Sequence, residues 1–271
     1  MTTPVPHATP CPVLRRQLHG GLRGLLCWCL GLTAVLCLYL PLYPSIQTPG
    51  FSEMVAAMPP TLTETLGFDQ IATGAGYTQA TYFGLLGLLI ATLASVSWGA
   101  QLIAGAEESG RLELSLTHAV GRGQYALESL GTLVLRVLVL CALTLAVVLT
   151  LNGPGELSLT PGHVLTTTAA WGALCLACGV TALSAGAASG RRGLAVGTGA
   201  AVGIASYAFD AVARSKDSLD WLSAVSPYHW AFGSDPLSTG EGWAGIGLLL
   251  VYSAVAYLLG HLAFTRRDLH A

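Results

Sequence analysis

The chain is 271 residues long, 53 % hydrophobic and only 10 % charged, with a mean hydropathy of +0.63 and a formal net charge of −2. A water-soluble domain carries about 25 % charged residues, so this composition excludes a soluble globular protein and calls for lipid as the main solvent. The near-zero net charge excludes the bulk basic field that gathers nucleic acid.

Stretch 1–24 holds Pro4, Pro6, Pro10 and Pro12 and then Arg15, Arg16 and Arg23. It does not read as a cleavable signal, because the apolar run behind it is long enough to stay in the membrane. Runs of about 20 mostly apolar residues mark helices that cross a bilayer, and they must be helical because their backbone finds no water there. The first run is 25–43. Segment 44–81 follows, with Pro44, Pro49, Pro59 and Pro60, and 51–58 between them reads as a short interfacial helix. The second run is 82–106.

The third run, 125–151, contains Glu128 and Arg136. They lie eight positions apart, on one helix face but about 12 Å apart along its axis. A charge near mid-bilayer costs about 2.5–3.5 kcal/mol, so each needs a partner or a watery cavity. Glu128 is expected at the water boundary or against Arg122. Arg136 is expected either to line a translocation path or to pair with an acid on another span, such as Asp210, in a purely structural role.

The fourth run, 163–189, contains Cys175-x-x-Cys178. No second cysteine pair or nearby histidine completes a site, so packing is the expected role. The fifth run, 194–213, is flanked and filled by Gly193-x-x-x-Gly197 and Gly199-x-x-x-Gly203, ridges that let a neighbouring helix approach within the subunit or from a second copy. Segment 214–242 carries Trp221, Tyr228 and Trp230, with Trp243 just beyond, and reads as a hairpin dipping into the outer interface. The sixth run is 243–264, followed by a short tail, 265–271.

Nine arginines (Arg15, Arg16, Arg23, Arg111, Arg122, Arg191, Arg192, Arg266 and Arg267) fall on one side of these six spans, against Arg214 and Lys216 on the other. That split predicts an all-α membrane protein with both termini in the cytoplasm. One cytoplasmic stretch, 107–122, is rich in charge. Leu112, Leu116 and Val120 recur at helical spacing. Glu107 and Glu108 stand near its start and Arg122 near its end, as the helix dipole favours. This reads as an amphipathic helix on the cytoplasmic surface.

The same stretch resembles the signature of permease subunits of bacterial type-2 ATP-binding-cassette (ABC) exporters, roughly E-E-x-G-x-L-E-L-L-L-x-x-P-V-S-R. Glu107, Glu108, Gly110, Leu112, Glu113, Leu114, Leu116, Val120 and Arg122 match it, while Ser115, Ala119 and Gly121 depart. Other pieces are similar to the family in the same order: the basic helix from Arg15 ending in Trp28-x-Leu30-Gly31, then Leu42-Tyr43-Pro44-Ser45, Ser226-Pro227-Tyr228-x-Trp230, Asp235-Pro236-Leu237 and Phe264-x-Arg266-Arg267-Asp268-Leu269. The resemblance implies a six-span permease domain over 25–264 in the bacterial inner membrane. Segment 107–122, with Arg111 inside it, would be the coupling helix seated in a separate ATP-binding subunit. The basic stretch near Arg15 to Arg23 would lie along the membrane surface beside it. A second permease copy or homologue would complete the path, and drug, antibiotic or lipid-like export is the implied task.

No catalytic residue, metal site or cofactor is expected in this chain. A P-loop needs Gly-x-x-x-x-Gly-Lys-[Ser/Thr], and the only lysine, Lys216, sits in no such motif. ATP and magnesium would therefore belong to the partner. Two other readings stand beside this one. Glu107-Glu108-x-x-Arg111 echoes an intramembrane metalloprotease motif, but the histidines to complete a zinc site are missing. An ATP-independent secondary transporter would show repeats between its halves, and none is visible.

Overall fold

The computed structural model of the protein describes residues 11–46, 73–112, 121–215 and 219–267. Six helices in it are long and apolar enough to cross a membrane: Pro12–Ser45, Gly74–Leu102, Arg122–Leu151, Pro161–Ser189, Arg192–Arg214 and Trp243–Arg266. No strand occurs among the described residues. The interfacial helix expected over 51–58 lies outside them.

The fourth span is the hub. Its most apolar window is 72 % buried, against 22 % for the first, fifth and sixth spans, and it packs on the second, third, fifth and sixth. Each crossing is made close by a glycine. A Cβ on Gly99 of the second span would lie 2.1 Å from the Gly179 carbonyl oxygen, and one on Gly172 would lie 2.3 Å from Cys141 of the third. Gly260 of the sixth span meets Ser184, and Gly199 of the fifth meets Ala182 and the Cys178 carbonyl. In lipid, where hydrophobic burial contributes little between helices, such backbone contact supplies the attraction by dispersion. Gly203 also faces inward, toward Thr92, whereas Gly193 and Gly197 have open space around them. Only one of the two glycine ridges on the fifth span therefore packs within the chain. Cys175 and Cys178 are both buried at these contacts.

The first span leans chiefly on the third. Its helix starts at Pro12, ahead of the apolar run that begins at 25, and the basic stretch is part of that same helix and not a separate surface helix. Contacts climb both helices together: Leu14 meets Gly131, Gln17 bonds Ser129 and Thr132, Gly21 abuts Arg136, and Leu40 reaches Gly155. Two parallel helices of equal rise produce this matched ladder.

The second span widens between Gln79 and Leu86, where the Gly87 N–H donates to the Tyr82 carbonyl five residues back. The extra residue per turn sends neighbouring rings inward together. Tyr82 and Phe83 are both fully buried, and the Tyr82 hydroxyl lies 2.9 Å from Thr144 Oγ1.

Residues 219–242 fold over the bundle end away from the arginines, through short helices Trp221–Val225, Pro227–Phe232 and Pro236–Thr239. Gln79 fastens this cap by donating to Asp235 and accepting from the Leu237 N–H. The Ser226 hydroxyl donates to the Ser206 carbonyl. The Tyr228 ring packs between Tyr207 and Phe232, and burial pushes its phenol above the usual range. Trp221 and Trp243 stay exposed at the rim, as suits indole rings in a headgroup layer.

Candidate functional site

At the arginine-bearing end the chain leaves the second span through a turn at Ile103 and a short helix, Ala104–Glu108. Gly110 then takes a left-handed conformation, φ +67°, which ends the helix and suits a residue without Cβ. Arg111 and Leu112 resume helical geometry, and Leu112 is fully buried. The third span opens at Arg122 behind Gly121. The helix expected over 107–122 is thus interrupted: Glu107 and Glu108 precede the Gly110 break, and Arg122 belongs to the next span. Glu113 and Leu116 lie outside the described residues.

The two acids tie this segment into the bundle. Glu107 pairs with Arg267 at the end of the sixth span. Glu108 accepts from the Arg192 N–H at 2.8 Å, placing a carboxylate at the N-terminus of the fifth span, where the dipole favours it. The Arg122 guanidinium donates to the Arg267 carbonyl at 2.8 Å. Arg111 donates to the Ser109 hydroxyl, which in turn donates to the Gly105 carbonyl. One short segment thereby touches the ends of the second, third, fifth and sixth spans.

Beside it a cavity of about 540 Å³ opens between the first, second and third spans. Its origin is legible in the first span, whose bundle-facing side reads Gln17, Gly21, Trp28, Leu32, Leu36 and Leu40. The leucines fill their share of the interface, and all three are fully buried. Gly20, Gly21 and Gly24 line the cavity instead, and no side chain there fills it. Arg136, 6 % exposed, reaches in from the third span. Its Nη2 donates to the Gln17 carbonyl at 2.7 Å, and its guanidinium carbon lies 5.5 Å from the centroid of the Trp98 ring. A Cβ on Gly21 would strike that guanidinium.

Two expected pairings are not formed. Asp210 does not meet Arg136, because it sits 18 residues, about 27 Å, along the fifth span from Arg192. There it binds Arg214 at 2.8 Å and His229 Nδ1 at 2.9 Å, under the cap. Glu128 is neither solvated nor paired with Arg122. It is buried, accepts from the Leu14 N–H at 2.8 Å and from Gln124 at 2.7 Å, and so caps the first helix from a neighbouring span. The cavity residues Arg16, Gln17, Trp98 and Gln101 escape a reading based on charge within apolar runs. Their signal is the small and polar stripe Gln17, Gly21 and Gly24 at helical spacing. Among the described residues no cluster of histidine, cysteine, aspartate and glutamate is placed to hold a metal.

A search of curated proteins finds no significant match. Residues 12–269 match the family model described as ABC-2 family transporter protein. With six apolar helices over nearly the same range, the chain belongs to the ABC-2 transporter family as a multi-pass plasma-membrane permease.

Proposed function

We propose that the chain is the membrane subunit of an ABC exporter, oriented with the arginine-bearing end in the cytoplasm and driven through segment 107–122 by a separate ATP-binding subunit. The observation that carries this reading is the double anchorage of Glu107 and Glu108 on Arg267 and on the Arg192 N–H. A segment held that way does not move alone. It draws the second span by covalent continuity, the sixth through an ion pair and the fifth through its cap, which is what rigid-body transmission requires. A second permease copy, or a homologue, would complete the path, with amphipathic drug-like or lipid-like molecules as cargo. ATP and magnesium would bind only to the partner.

The test is purification from native membranes, with Mg-ATP hydrolysis measured on wild type and on Glu113→Arg. Wild type should co-purify with a P-loop protein and its ATPase activity, and the variant should lose both. Equal recovery of the partner in the variant would overturn the placement of the contact. Transport that persists after ATP depletion under a clamped ion gradient would favour a secondary transporter.

A further inference from the structure

We infer that the cavity at the arginine-bearing end is an anion site that takes the phosphate group of an amphiphile. Arg16, Arg111 and Arg136 all line it, and no acidic side chain does so among the described residues. Arg136 is more than nine-tenths buried, and it meets a backbone carbonyl and the Trp98 ring but no carboxylate among the described residues. A buried cation without a counter-ion is costly, and an incoming anion removes that cost. Guanidinium forks fit the oxygens of phosphate, and three of them suit a group with more than two acceptors. Gln17 and Gln101 add polar lining, while Val13, Leu102 and the glycine-lined wall of the first span offer an apolar bed for a chain.

The glycines are part of the device. A Cβ at Gly21 would lie 2.0 Å from Arg136 Nη2, so any larger residue there displaces the guanidinium. The site adjoins the coupling segment through Arg111, but none of its contacts involves the Glu107–Arg267 or Glu108–Arg192 links.

The test uses the full chain purified in neutral detergent, with bound lipid read by native mass spectrometry. The probes are phosphatidylglycerol, phosphatidylcholine and inorganic phosphate. Wild type should retain phosphatidylglycerol over phosphatidylcholine, and Arg16→Gln and Arg136→Gln should each lower that preference about fivefold, the usual worth of one basic residue toward an acidic headgroup. Arg191→Gln, an exposed arginine at the same end but outside the cavity, should leave it unchanged. If Arg136→Gln does not fold, Arg16→Gln carries the comparison alone. Displacement of the lipid by millimolar phosphate would identify a small-anion site, and its absence would identify a headgroup site. Equal retention of the two lipids by wild type, or an equal drop in Arg191→Gln, would overturn the inference. No ATP-binding subunit takes part, so a negative result leaves the exporter reading untouched.

Discussion

The two ends of this bundle are built on opposite plans. The end carrying Trp221 and Trp243 is closed by a cap built round two buried groups: Asp210, which holds the more exposed Arg214 and His229, and Tyr228, packed among aromatic rings, with Gln79 bonded to Asp235 beside them. The arginine-bearing end is held by one partly exposed ion pair and a backbone cap, and it contains a cavity. The contrast teaches where rearrangement is cheap. Partly hydrated links re-form at small cost, whereas a packed aromatic cap does not open without losing burial.

The largest expected effect lies between the two ends, at the crossing they share. Gly99→Leu should abolish recovery of folded protein, and Gly99→Ala should cost about 1–3 kcal/mol, because even one carbon collides with the Gly179 backbone. Gly197→Leu, with open space around it, should leave thermal stability unchanged. Monodisperse yield and melting temperature read both. Next comes the cap: Asp210→Ala should cost about 1–1.5 kcal/mol, since it removes the buried carboxylate that holds Arg214 and His229, whose own exposure lets water take its place in part. The check is faster proteolysis within 219–242, with partner ATPase binding unaltered. If Asp210→Ala weakens partner binding as much as it weakens the cap, the division of labour between the ends fails.

Smaller effects belong to the arginine-bearing end. A double-mutant cycle on Glu107 and Arg267 should give about 1 kcal/mol of coupling, the range of a partly exposed ion pair. Transport should fall more than ATP hydrolysis in either single variant. The smallest effect expected is Tyr228→Phe, about 0.5 kcal/mol in thermal denaturation, because its hydroxyl reaches the Gly84 carbonyl only at 3.4 Å while the ring contacts survive.

Much of this architecture is written in single residues. Apolar runs locate all six spans, because lipid permits no other backbone for them. The first helix runs on ahead of its apolar run, since Arg15, Arg16 and Arg23 break the run without breaking the helix. Charge scarcity singles out Glu107, Glu108, Glu128, Arg136 and Asp210, but their partners depend on which helices are neighbours. Spacing along one chain carries no such information, so Glu128 finds an N–H on the first helix and Asp210 finds the cap. The glycine ridges of the fifth span stand out more than Gly99 and Gly179, which make the closer crossing. The Ser95-x-x-x-Gly99 spacing is the signal for it.

That crossing divides the second span unequally. Gly99 lies three residues from the span's end at Leu102 and twenty-five from its start at Gly74. Two backbones touching with no side chain between them are free to pivot but not to press closer, so the contact acts as a fulcrum. A lever with arms so unequal turns a nudge at its short end into a larger swing at the far one.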